Sequence, residues 1–402
     1  MSESAQTVST AKDHSPERIE LLDAIRGFAL LGILLMNLEA FNGPITGALT
    51  GIDSNLKGLN WWADGFVYIF VQGKFWTLFS LLFGMGFAVM FERAKQSGGN
   101  FVAIYRRRIF GLFVIGLIHL WLIWEGDILF SYALAGFVLL SMFKTGKTYG
   151  LPALLAIYCA PLVLLVLVGF SADRIANPLE LNTQLREETE ILGMGSYSEV
   201  LLWRIEGFSQ DLFSNLFLLP MTIALFALGV RFYRSGLVTP LVQPEKHSLW
   251  IAAMFWFSGL ILMLLSVWIA PEINPIHVNW LFAKVNILNL LAGPLMCLGY
   301  FFGLRYFWSF SWARNKLQIF TPLGKMALTN YLIQSIVCTL IFYGYGLGCY
   351  QQLPRAWHIP FALVFVALQV IFSSWWLKRY SLGPIEYIWR WLTYGKRPKF
   401  VS

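Results

Sequence analysis

The sequence predicts an all-α polytopic membrane protein, a bundle of about ten transmembrane helices with interfacial helices at its edges. Three observations carry that prediction. Hydrophobic residues make up 57% of the 402-residue chain and charged residues only 13%, at a mean hydropathy of +0.62, a balance that no water-soluble domain of this size keeps in solution. The apolar residues gather into successive runs long enough to cross a bilayer as helices. Basic residues alternate between the loops: of the 30 Lys and Arg, 21 fall on one side, five (Lys57, Arg174, Arg186, Arg204, Arg355) on the other, and four (Arg26, Lys74, Lys284, Lys325) lie within or beside the runs. That asymmetry is the positive-inside pattern, and it places both termini in the cytoplasm. The net charge of +8 is thereby explained by insertion, and no nucleic-acid partner is expected.

Taken in order, residues 1–17 are rich in Ser, Thr and charge and read as a disordered cytoplasmic tail ahead of a transmembrane domain over 18–382. The first span, Leu21 to Phe41, is apolar but holds Asp23, Arg26, Asn37 and Glu39. At about 100° per residue, Asp23, Arg26 and Asn37 fall within about 60° of one another and form one stripe. Charge inside a spanning helix is costly unless it faces protein, water or a partner, which makes the stripe a functional candidate; the plain alternative for Arg26 is a helix-end residue snorkelling to the headgroups. Trp61 and Trp62 suit an interface belt. The run from Trp61 to Phe91 exceeds one straight span, so an interfacial or tilted helix is expected to lead into a second span near Lys74.

Further spans are expected at Ile109–Trp124, Ile128–Phe143, Tyr149–Phe170, Leu212–Val230, Leu249–Ala270, Phe282–Gly303, Phe320–Tyr343 and Ile359–Leu377. Between the fifth and sixth of these ten lies the largest outside loop, 171–211, with eight acidic and three basic residues; its stretch from Glu187 to Glu206 is suited to a short helical cap. Residues 383–402 mix Trp, Tyr and basic side chains, the composition of an interfacial cytoplasmic segment in contact with membrane lipids. The four cysteines have no paired spacing, so neither a disulfide framework nor a zinc site is indicated.

Polar residues recur where apolar ones would be the default. The hairpin between the third and fourth spans carries His119, Glu125 and Asp127, a histidine and carboxylates suited to base and orienter; the plain reading is a hydrogen-bonded histidine and a solvated turn. Asn37, Lys74, His119 and Asp127 are all expected in the outer half of the membrane. The ninth span carries Lys325, Thr329, Asn330, Gln334 and Ser335, which fit either a polar site or interhelical hydrogen bonds, with Gly324 and Ala327 permitting close packing. Arg106, Arg107 and Arg108 are most simply topology signals, yet with Arg26 and Lys325 they also make a basic mouth for a phosphate-bearing donor.

The blocks LLDAIRGFALLGILLMN, VQGKFWTLFSLLFGMGF, GLIHLWLIWEGDILFSYAL, GKMALTNYLIQS and GPIEYIWRWLTY resemble, in order and spacing, the signature blocks of the YeiB family of bacterial inner-membrane proteins of unknown function. The first block, with Asp23, Arg26, Gly27 and Asn37, is also similar to the first span of the transmembrane acyltransferase superfamily. That resemblance implies transfer of an acyl group from cytoplasmic acyl-coenzyme A to an acceptor across the membrane, by way of a histidine early in the fold. Residues 38–61 contain no histidine, and His119 is the substitute this chain's own polarity offers.

These observations point to an acyltransferase in which Arg26, Lys325 and Arg106–Arg108 hold donor phosphates, with Asp23 and Asn330 in the same polar stripe. His119, oriented by Asp127, is then the base, and Asn37 and Lys74 stabilise the oxyanion. No metal is called for. The alternatives are a small-molecule transporter, for which the two halves show no repeat, and a lipid-binding or scaffold protein without turnover.

Overall fold

The computed structural model describes residues 16–45, 48, 51–145, 149–171, 178–241, 243–273 and 280–398. Of the expected N-terminal tail, residues 1–15 lie outside these, and Pro16 and Glu17 already begin the first helix. The regular structure of the described residues is all helical, with one isolated bridge, between Gly51 and Glu272, and no strand.

Helix α1 (Pro16–Phe41) is followed by α2 (Leu59–Phe70) and α3 (Lys74–Gln96), the expected short helix leading into a span from Lys74. Then come α4 (Phe101–Ile118), a π turn (His119–Ile123), α5 (Leu129–Lys144), α6 (Leu151–Ser171), α7 (Pro178–Met194) and α8 (Tyr197–Arg234). The second half holds α9 (Lys246–Ile269), α10 (Trp280–Trp308), α11 (Ser311–Leu317), α12 (Thr321–Lys325), α13 (Ala327–Phe342), α14 (Arg355–Leu377) and α15 (Pro384–Tyr394).

Six stretches are helical, long and apolar enough to cross a membrane: Glu20–Phe41, Leu59–Gln96, Leu212–Arg234, Lys246–Ile269, Trp280–Trp308 and Arg355–Leu377. A seventh, through α12 and α13, is bent by 77° at Met326. The other three expected spans correspond to α4, α5 and α6: α4 carries three successive arginines and α5 has 16 residues, so neither meets that measure, while α6 is 21 residues long and apolar throughout. The outside loop also differs from expectation. Ser196 caps α8 through a reciprocal bond pattern with Glu199, and the helix then runs 38 residues without interruption, so the cap expected near Glu187–Glu206 is divided between α7 and the first turns of α8, ahead of its candidate span Leu212–Arg234.

Helix α1 is the centre of the molecule. Its apolar window is 78% buried, against 22% for α9, and it packs on α3, α12, α13 and α14. Close approach of α1 to α12 depends on two glycines: a Cβ on Gly27 would overlap the Phe320 carbonyl, and one on Gly324 would overlap the Asp23 carbonyl. By contrast α9 presents Trp250, Phe257, Ile261 and Trp268 outward, a stripe that in water would drive association and in a bilayer meets hydrocarbon.

Candidate functional site

The interior holds a cavity of about 230 Å³ between α1, α3, α4, α5, the α12–α13 break and α15. Its walls are mostly apolar, from Leu30, Ile33, Leu82 and Phe83, but Arg26, Arg108 and Lys325 all border it. Of the three, Lys325 is exposed. Arg26 pairs with Asp23 at 2.6 Å, as residues three apart on one helix face can. Arg108 is held differently, its guanidinium 3.6 Å from the centre of the Trp389 ring, while the Trp389 indole N–H donates to the Arg108 carbonyl at 2.7 Å. Arg106 and Arg107 are exposed, so of the three consecutive arginines only Arg108 reaches the cavity.

The sharp bend at Met326 leaves the first N–H groups of α13 without partners in their own helix. Glu386, from α15, supplies them: its Oε1 accepts from the Leu328 and Thr329 amides at 2.7 and 3.0 Å, and its Oε2 from the Thr329 hydroxyl at 2.5 Å. The same hydroxyl accepts from the Ile385 amide at 3.1 Å. Burial pushes the Glu386 carboxyl above its usual range, against the opposing pull of these donors. Glu386 and Trp389 thus place α15 as a wall of the cavity.

At the other end of α4 the chain enters the π turn at His119, a local geometry that recurs at functional sites. The His119 Nδ1 lies 2.8 Å from Asp127 Oδ1, with both side chains fully buried. The other Asp127 oxygen accepts from the Phe130 amide at 2.6 Å and so is fixed at the start of α5. The His119 Nε2 is buried without a hydrogen-bond partner among the described residues. Its ring lies 5.1 Å from that of Tyr331, and Tyr331 lines the cavity together with Ile128 and Leu129. One aromatic ring therefore stands between the histidine and the cation-lined space. In the same corner Glu125 pairs with Arg204 of α8 at 3.0 Å, and the Arg204 guanidinium faces the Tyr343 ring at 5.7 Å. Burial works against the charge on Arg204, but Glu125 beside it raises its pKa overall.

The remaining candidates are placed elsewhere. Lys74 is buried, but its Nζ turns back to donate to the Tyr68 carbonyl at 3.0 Å and contacts Met263 Sδ at 3.3 Å; the tight turn between α2 and α3 aims it at α9, away from His119. Asn37 is half-buried on α1. Asn330 bridges α13 and α14, donating to Ser373 at 2.9 Å, next to the Gln334–Gln369 bond of 2.9 Å, so its geometry is that of interhelical packing. Glu39 pairs with Arg355 at 2.8 Å, and Arg355 also reaches Asp64 at 3.4 Å, tying α1, α2 and α14 together. No group of His, Cys, Asp or Glu among the described residues is arranged to hold a metal, and all four cysteines are free thiols.

Comparison with known sequences places these features in a wider setting. A family model described as a protein of unknown function, DUF418, matches residues 232–396, which contain Lys325, Tyr331 and Glu386. The chain is 34% identical to the uncharacterized protein YxaH of Bacillus subtilis (strain 168), over 94% of each chain. It is 28% identical to an uncharacterized 39.9 kDa protein of Bacillus acidopullulyticus, over 95% of each, and 29% identical to the uncharacterized protein YeiB of Escherichia coli (strain K12), over 94% of this chain and 96% of the other. No solved structure matches.

Proposed function

The chain belongs to the YeiB-like DUF418 family of proteins of unknown function, and from its own geometry we propose that it is a membrane-embedded acyltransferase that uses an acyl-coenzyme A donor. The observation that carries this reading is the His119–Asp127 pair, whose free Nε2 lies behind Tyr331 at the end of a cavity bordered by three cations. The cavity is smaller than the roughly 300–1,000 Å³ of sites that enclose a whole ligand, so it takes the phosphate-bearing or thioester end of the donor and leaves the rest outside. Arg26, Arg108 and Lys325 bind the phosphates.

Tyr331 then moves aside for the acceptor hydroxyl or amine. His119 Nε2 takes the acceptor's proton as the acceptor attacks the thioester carbonyl, and Asp127 holds the imidazolium through Nδ1–H. Collapse of the tetrahedral adduct breaks the C–S bond, and the proton passes from His119 to the departing thiolate. The test is release of free thiol from coenzyme A thioesters by the purified protein. His119→Ala is expected to lower turnover by about 10²-fold or more with the fold intact, while Arg26→Gln raises the donor KM. Thiol release unaffected by His119→Ala rules the mechanism out.

The 77° break between α12 and α13 supports a second reading, transport of the same anionic ligand, because discontinuous helices place backbone dipoles at transport sites. Uptake of labelled ligand into proteoliposomes without thiol release selects it. In either case the arrangement proposed is ten spans in a bacterial inner membrane, with α4, α5 and α6 also crossing and both termini cytoplasmic. Reporter fusions are expected to place residues 93–108 and the C-terminus inside and residues 183–208 outside; an external C-terminus overturns it.

A further inference from the structure

We propose that a second cavity, at the end of α8, is a binding site for an anionic phospholipid. This does not depend on the acyltransfer reading. The cavity holds about 370 Å³, within the range of roughly 300–1,000 Å³ typical of ligand sites. It lies between the ends of α3, α5 and α8, away from the His119 corner, and shares only Phe87 with the first cavity.

Its chemistry is divided in two. The inner wall is apolar, built from Leu139, Phe143, Ala227 and Val230, and the rim carries Arg231 and Arg234. Both arginines belong to the last turn of α8 and are exposed. The Arg234 guanidinium lies 5.7 Å from the centres of both the Phe91 and Phe143 rings, which hold it at the lip of the slot. Among the described residues, no acidic residue lines the cavity. A phosphodiester suits the two guanidinium groups, and an acyl chain suits the apolar slot beneath them. A free phosphate ion leaves that slot uncovered. Basic pockets between transmembrane helices on the cytoplasmic side are the usual setting for anionic headgroups, and this end of α8 is on the side where the basic residues collect.

The experiment uses the full chain purified from detergent and reconstituted into nanodiscs of phosphatidylcholine, with or without phosphatidylglycerol. Native mass spectrometry reads the lipid retained, and thermal unfolding reads the stabilisation. The wild type is expected to retain phosphatidylglycerol in preference to phosphatidylcholine and to gain Tm from it. Arg231→Gln with Arg234→Gln lowers that retention about tenfold or more, and Ala227→Phe, which fills the slot and leaves the charges alone, also lowers it. Each variant's Tm in phosphatidylcholine alone reports whether it is folded. Arg231→Gln on its own serves as a milder variant. Equal retention of the two lipids, or wild-type retention by the folded double variant, overturns the proposal. So does stabilisation by inorganic phosphate equal to that by phosphatidylglycerol, or an Ala227→Phe variant that binds as the wild type does.

Discussion

At the cation-lined cavity Arg26 pairs with Asp23 at 2.6 Å and still keeps 26% of its side chain exposed; at the corner after the π turn Arg204 pairs with Glu125 at 3.0 Å with its side chain wholly enclosed. Both are arginine–carboxylate pairs in a largely apolar protein, but their surroundings differ. Around Arg26 stand two more cations, Arg108 and Lys325, and the local carboxylate, Glu386, is taken up by the amides of α13. Positive charge is in excess there and space adjoins it, which suits an anionic visitor. At the corner each charge has its own partner, and the pairs join the hairpin to α8 and to the start of α5. The lesson is that charge inside this bundle serves two ends: where it is matched and sealed it fixes geometry, and where it is unmatched beside a cavity it marks a site.

The largest effect that tests this contrast is at the sealed pair. Glu125→Ala leaves a buried, uncompensated guanidinium and is expected to destabilise the protein by about 3–5 kcal/mol in denaturant unfolding, with Glu125→Ala/Arg204→Leu recovering part of it. A loss below about 1 kcal/mol would mean that water reaches Arg204 and the two ends are alike. Next is Glu386→Ala, which strands the Leu328 and Thr329 amides at a cost of about 1–3 kcal/mol. Because burial raises the Glu386 pKa, the folded wild type binds its proton more tightly than the unfolded chain does. Its stability therefore falls as pH rises from the ordinary carboxylate range through the raised value, a slope that Glu386→Ala removes. The smallest effect is at the open pair: a cycle of Asp23→Ala, Arg26→Ala and the double variant is expected to give a coupling of about 1 kcal/mol, since partial exposure screens the pair. Additive losses show that Asp23 and Arg26 are neighbours without coupling.

Much of this was legible in the chain. The Asp23–Arg26 pair follows from helical spacing, and the hairpin that joins His119 to Asp127 spans only eight residues, so local geometry brings the two together. Arg26 and Lys325 were expected near one another at the basic face, and both border the cavity. What stayed hidden depends on contacts distant in sequence or on turn geometry. Glu386 read as part of an interfacial segment because its burial exists only once α15 docks on α13. Tyr331 read as one more aromatic in a span. Lys74 does begin a helix, as expected, but the direction of its Nζ is decided by the backbone between Phe70 and Lys74 and by the position of Met263. The division of ten expected spans into long and short helices was also hidden, because apolar runs do not reveal where a helix ends in a π turn or a bend.

The cap that Glu386 gives to α13 also has a meaning in time. The chain is made from its N-terminus, and Glu386 follows Thr329 by 57 residues. At roughly 5–20 residues per second, synthesis leaves α13 for about 3–11 s with its opening amides unpaired and one wall of the cavity missing. During that interval the cationic residues have already been synthesised, but the space they border is open on the side of α15. The cavity is thus closed only when one of the last helices of this sequence folds back onto α4 and α13, and a nascent chain halted before Pro384 carries the cations without the enclosure they line.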